Sequence, residues 1–169
     1  MPARRTSPAR RAAAAPRLDE IDRRILRELQ IDASLPIGEL ADRVGLSTTP
    51  CWRRVQRLDS DGFIRRRVAL LDRRKLNANV TVFIAIRAAQ HTVEWIEAFR
   101  AATLDIPEIV DVYRMSGEID YLIRAFVPDI ESYDSLYKRL IGRIALGDVT
   151  SMFAMEELKS TSEVPLDFV

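Results

Sequence analysis

The 169-residue chain is poor in the residues that most often carry chemistry. It has one cysteine, Cys51, and one histidine, His91. A single cysteine excludes an intramolecular disulfide and cysteine-rich zinc sites. A single histidine leaves almost no material for a His-dependent triad or a multi-histidine metal site. No apolar run approaches the roughly 18–20 residues that cross a bilayer, so no membrane span is expected. None of the length of a signal-peptide core follows the N-terminal arginines, so no secretory signal is expected either. Glu118 and Asp120 are neighbours in sequence only, and no nucleophile–base pair is visible, so the chain is not expected to be an enzyme. His91 precedes a helical pattern and is expected at the surface. Cys51 is expected to pack inside a helix bundle, with a redox-sensing thiol as the alternative.

What is present is a globular composition, 47% apolar and 30% charged. The formal net charge of +1 hides an asymmetry. Residues 1–75 hold 18 Lys+Arg against 10 Asp+Glu, a net of +8; residues 76–169 hold 8 against 15, a net of −7. A basic front and an acidic back fit a chain whose first part meets a polyanion. Clustered solvated arginine faces are the plainer explanation of the same split. Residues 1–17 are Ala-, Arg- and Pro-rich without an acid before Asp19, and Pro2, Pro8 and Pro16 oppose a helix. They are expected to form a disordered basic tail, with a transit peptide as the alternative.

From Leu18 the apolar period becomes helical: Leu18, Ile21, Ile25, Leu26 and Leu29 share one face. Asp19, Glu20 and Asp22 fall at its start, where the helix dipole favours negative charge. A second helix is predicted over about Pro36 to Val44, ended by Gly45 in a left-handed conformation. Ser47 then caps a third, over about Thr48 to Ser60, with Cys51, Val55 and Leu58 inward. Three helices with a three-residue turn before the last form a helix-turn-helix pattern. The outer face of the third helix carries Thr48, Thr49, Trp52, Arg53, Gln56 and Arg57, with Arg54 on its flank. Together with Ser47 and Arg65 these are the candidate DNA-binding residues, because residues near the start of a recognition helix reach base edges and arginine pairs guanine. Arg65, Arg66 and Arg67 lie in an extended stretch, either a phosphate-gripping wing or plain surface.

The second half changes period. Strands are predicted at Val80 to Arg87, Ile109 to Met115, Tyr121 to Val127 and Val149 to Met155, with helices at Thr92 to Thr103 and Ile130 to Ile141. The order βαββαβ is the ferredoxin-like arrangement, with both helices on one face of the sheet. The first strand is apolar on both faces, so the bare face of the sheet is expected to meet a second copy of the chain.

The segments LDEIDRRILRELQ from Leu18, ELADRVGLSTTPCWRRVQRLDSDGFI from Glu39, YRMSGEIDYLIR from Tyr113 and SMFAMEELKSTSEVPL from Ser151 resemble the Lrp/AsnC (leucine-responsive, feast/famine) transcriptional regulators. The resemblance implies an α+β chain. A winged helix-turn-helix occupies residues 18–62, after the tail at 1–17. A wing strand and linker span 63–79. A ferredoxin-like effector-binding and oligomerisation domain covers 80–157, and a C-terminal tail 158–169. It further implies double-stranded DNA as partner, homodimers assembling into tetramers or octamers, no membrane, a cytoplasmic, nucleoid-associated location and no cofactor. The implied effector is an amino acid such as leucine, cysteine or a branched-chain relative. It is held by Met115, Ser116, Gly117, Glu118, Asp120 and Tyr121, facing Asp148, Thr150 and Ser151 of a neighbouring subunit. The residue chemistry agrees: Asp120 can take an ammonium, Gly117 lets backbone N–H groups approach a carboxylate, and the Thr150 and Ser151 hydroxyls complete the set. A tight hairpin explains Gly117 and Asp120 equally well. An architectural nucleoid-type protein without a specific effector is the alternative function.

Overall fold

The computed structural model describes residues 18–168. The basic tail expected over residues 1–17 lies outside them. The chain forms two compact units: residues up to Ala69 joined by those from Thr161 onward, and Leu70–Ser160.

The first unit opens with α1, Glu20–Ile31. Its start is a reciprocal capping box. The Asp19 carboxylate accepts from the Asp22 N–H at 2.8 Å, and the Asp22 carboxylate accepts from the Asp19 N–H at 3.2 Å. Asp19 is therefore the cap rather than a residue of the first turn. Helix α2, Ile37–Val44, follows Pro36, which gives no side-chain cap. It ends on Gly45 at φ +72°, where the Gly45 N–H reaches the Asp42 carbonyl and the Leu46 N–H reaches that of Ala41. That pair of bonds is a Schellman closure, and it needs the left-handed residue. Helix α3, Thr48–Ser60, begins after Ser47. The Ser47 hydroxyl makes no capping bond, contrary to the expectation from its residue type; only its carbonyl enters the helix ladder, accepting from the Cys51 N–H. Ile25, Leu40, Val44, Cys51 and Leu58 meet in a fully enclosed core.

The C-terminal segment belongs to this unit. Leu166 packs against the same core, and the Gln30 amide brackets the Val164 backbone, donating to its carbonyl at 3.2 Å and accepting from its N–H at 2.6 Å. The wing is a correction. Residues 64–72 form no strand, because none of the described residues pairs with them, and Val68, Leu70 and Leu71 are left exposed.

The second unit is the βαββαβ sandwich. Its elements are β1 Val80–Ile86, α4 Val93–Leu104, β2 Ile109–Arg114, β3 Tyr121–Val127, α5 Ile130–Ile141 and β4 Val149–Phe153. The antiparallel sheet runs β2-β3-β1-β4, so β1 is central and pairs Ile86 with both Tyr121 and Val149. Thr92 and Asp129 cap the two helices through their side chains. Val82, Ile84, Ile86, Ile123, Ala125 and Val127 face the helices and enclose Phe99, Leu136 and Leu140.

The opposite face is not uniformly apolar, as the alternation of β1 had suggested. Phe83 pairs with Arg124 in register, and Arg124 forms an ion pair with Asp111 at 2.5 Å. The guanidinium groups of Arg124 and Arg73 lie 5.4 Å and 5.2 Å from the centre of the Phe126 ring. The linker thus covers one corner of the face through a cation–π contact despite its polarity. Tyr113 and Met152 remain exposed on the same face.

Candidate functional site

Two sets of residues were placed by sequence, and the structure treats them differently. The first lies on α3. Packing of Cys51, Val55 and Leu58 against α1 and α2 turns the opposite side of the helix outward. Ser47, Thr48, Thr49, Trp52, Arg53, Gln56, Arg57 and Arg65 are all exposed, and Arg54 is half-buried. Trp52, a large apolar side chain, is 52% exposed on a helix that has a good core available. An exposed aromatic among threonines and arginines has the composition of a surface that stacks and bonds to a partner.

The arginines divide into two groups. Arg53 and Arg65 form no ion pair among the described residues. Arg54 donates to Asp19 at 2.5 Å and to Asp22 at 2.8 Å, and Arg57 donates to the other Asp22 oxygen. Asp22 is wholly buried. Helix α1 therefore fixes two of the α3 arginines from below. Burial pulls the Asp19 carboxyl upward, but the Asp22 N–H and the Arg54 guanidinium outweigh it and hold the group below the usual carboxylate range. Arg54 is correspondingly held above its ordinary value, chiefly by its bonds to Asp19 and Asp22. Burial pushes the Cys51 thiol up, which opposes thiolate formation and favours the packing role over the redox-sensing one.

The second set surrounds the end of β1. Met115, Ser116, Gly117 and Glu118 are exposed in the β2–β3 turn, with Gly117 at φ +128°. Asp120 is built into the turn: its carbonyl accepts from the Met115 N–H, its N–H donates to the Ile86 carbonyl, and its carboxylate accepts from the Ala88 N–H at 2.8 Å. Asp120 thus closes the hairpin through its backbone carbonyl, while one carboxylate oxygen is used outside the turn, on the Ala88 N–H. Asp148 lies beside the same strand end, where the Arg87 N–H donates to its carbonyl at 2.8 Å. Both loops thus bond to the same end of β1, the β2–β3 turn through Asp120 and Glu118 and the segment before β4 through Asp148.

Tyr121 departs from expectation. Its ring is buried against Phe99, at 4.5 Å between centroids, and near Trp95, so it belongs to the core rather than to the loop surface. Thr150 and Ser151 point to opposite faces of β4, as strand geometry requires. Thr150 is exposed beside Ala85, and Ser151 is paired with Tyr133 through their hydroxyls. Burial leads the causes that raise the Tyr133 hydroxyl above its ordinary value. Sequence reasoning missed Arg87 and Tyr133. Arg87 was legible as the charge ending the apolar run of β1; nothing in the sequence pointed to the Tyr133–Ser151 pair.

Residues 18–59 match the profile of the AsnC-type helix-turn-helix domain, and residues 81–164 that of the Lrp/AsnC ligand binding domain. The chain belongs to the Lrp/AsnC family of transcriptional regulators. It is 44% identical over 150 residues to the glutamate uptake regulatory protein of Zymomonas mobilis, covering 89% of this chain and 92% of that one. It is 44% identical over 151 residues to the DNA-binding transcriptional activator DecR of Escherichia coli, covering 89% and 99%. The structure resembles that of an AsnC family transcriptional regulator from Agrobacterium tumefaciens, with a TM-score of 0.87, 56% identity and coverage of 89% and 99%. It also resembles the Neisseria meningitidis regulator NMB0573 in complex with L-Met, with a TM-score of 0.86, 32% identity and coverage of 90% and 99%. The Lrp/AsnC assignment accounts for both sets at once: a helix-turn-helix that presents α3, and a sheet domain with an open loop cluster at one end. The Lrp/AsnC family comprises transcriptional regulators rather than enzymes. Among the described residues no helix is long and apolar enough to cross a membrane, and no group of three or more His, Cys, Asp or Glu side chains is placed to hold a metal.

Proposed function

We propose that this regulator reads double-stranded DNA with α3 and changes its DNA affinity or assembly when a free amino acid binds at the loop cluster beside β1. The carrying observation is the exposed Thr48, Thr49, Trp52 and Arg53 face on a helix whose flanking arginines are anchored from α1. A side chain free of intramolecular partners at the start of a recognition helix is the one available to base edges, so Arg53 is the principal reader. Arg65, exposed beyond the helix, and the threonines contact phosphates. Such a protein works in the cytoplasm, on the nucleoid.

The open sheet face supports a homodimer. Phe83, Leu122 and Phe126 with Tyr113 and Met152 surround the Arg124–Asp111 pair, and a two-fold axis through such a patch makes it self-complementary. Dimers of this kind assemble further into tetramers or octamers. Two family structures solved with L-methionine, from N. meningitidis and M. tuberculosis, support an amino acid as the effector class. Leucine, cysteine and branched-chain relatives are the first to try.

The test is a binding comparison at fixed salt between a duplex selected by the protein and a random duplex. Arg53→Ala is expected to weaken the selected duplex by about 1–3 kcal/mol and the random one far less. An equal loss on both, with no preference in the unmodified protein, identifies an architectural DNA-binding protein instead.

A further inference from the structure

The end of β1 carries a cation held in an unusual way. Arg87 has its backbone pinned on both sides: its N–H donates to the Asp148 carbonyl at 2.8 Å, and its carbonyl accepts from the Gly147 N–H at 3.1 Å. Its Nε donates to the Glu118 carbonyl at 2.8 Å, which fixes the plane of the guanidinium. The two terminal nitrogens are barely used. The nearest carboxylate oxygens are those of Glu118 at 4.0 Å and Asp148 at 3.8 Å, beyond hydrogen-bond reach, on side chains 93% and 83% exposed. A guanidinium anchored through Nε and open at both ends of its fork has the geometry that receives a carboxylate through two parallel bonds. The surrounding charge is negative, from Glu118, Asp120 and Asp148, which is what an ammonium requires.

We infer that Arg87 receives the α-carboxylate of a free amino acid, while Glu118 and Asp148 turn from Arg87 to the ammonium. This rests on the reading of the loop cluster as the effector site. It also sets the ligand class. Three acids stand against one cation here, so a second carboxylate on the ligand meets repulsion. The effector is an amino acid with an uncharged or cationic side chain, and L-glutamate and L-aspartate are excluded.

Calorimetric titration of the full chain tests this with three probes: L-methionine, its decarboxylated analogue 3-(methylthio)propylamine, and L-glutamate. If another of the twenty amino acids binds more tightly, it and its own decarboxylated amine replace the methionine pair. The unmodified protein is expected to bind the amino acid at least about tenfold more tightly than the amine and than L-glutamate. In Arg87→Gln the gap between amino acid and amine closes to within about threefold, and Arg87→Lys keeps part of it. Matching melting temperatures show that the exposed substitution leaves the fold intact. A gap that survives in Arg87→Gln, or equal weakening of amino acid and amine, overturns the assignment of Arg87 and leaves the effector reading standing. Binding of none of the twenty amino acids overturns the effector reading, and the inference with it.

Discussion

Asp22 and Arg57 lie 35 residues apart in sequence and are joined by an ion pair, with Arg54 bonded to the other oxygen of the same carboxylate. The acid is buried while the two arginines are partly exposed. One side chain of α1 thus sets the height and rotation of the recognition helix, and the capping box ties that side chain to the start of its own helix.

Asp22→Asn keeps the shape but removes the charge that both arginines share. The first unit is expected to lose about 1.5–3 kcal/mol, the range for hydrogen bonds to charged groups. Urea melts of variant and unmodified protein measure it. A variant of unchanged stability contradicts the role given to Asp22.

Gly147 allows β1 and the loop before β4 to touch. A Cβ built there lies 2.4 Å from the Arg87 carbonyl oxygen, so backbone on one side or the other must shift. Gly147→Ala is expected to cost about 1–3 kcal/mol, as other forced insertions into packed sites do. It should also disorder the Arg87 junction, visible as faster amide exchange at Arg87 and Asp148. Gly147→Ala melting with the unmodified protein shows that the loop relieves the clash freely.

Acid should loosen both units. Asp19 in the first and Glu108 in the second titrate below their ordinary values of 3.8 and 4.5; in each, burial acts upward and is outweighed, by the Asp22 N–H and Arg54 for Asp19 and by Arg139 for Glu108. The unfolded chain therefore takes up these protons first. The stability they supply is complete above the ordinary carboxylate range and disappears as the pH falls through the lower folded values. Melting temperature followed from pH 6 to pH 3 should decline most steeply at the acid end. A flat profile there contradicts the pairings.

Phe83→Glu puts a charge at the centre of the open sheet face without entering the helix-covered core. The protein is expected to sediment as a smaller species than the unmodified chain at equal concentration, with its helix content retained. Unaltered sedimentation shows that copies of the chain meet elsewhere.

The elements with strong periodicity were legible. The bounds of β3 and α5 follow from alternation over Tyr121 to Val127 and from the helical spacing of Tyr133, Leu136, Tyr137 and Leu140. Gly45 was legible because only a left-handed residue closes α2 and turns the chain within three residues. Long-range pairing was not. Nothing near Arg54 or Arg57 in sequence signals an acid more than 30 residues upstream. The wing was misjudged because an extended stretch becomes a strand only where a partner strand exists, and the sequence cannot display that absence. Tyr121 was assigned to the loop by position, yet the alternation of β3 turns it inward with Ile123 and Ala125. Leu166 sits between Val164 and Phe168 in a segment too short to show which of the three packs, and the other two are exposed, so its place in the first core was invisible.

That place has a practical consequence. The sensor half is one continuous stretch of polypeptide and can be cut out whole, whereas the DNA-reading half cannot. A fragment stopping near residue 69 forfeits the Leu166 anchor and the Gln30 bracket. A reporter inserted beside Val164 or Leu166 would therefore disturb α1 and the DNA-reading core, and not the sensor.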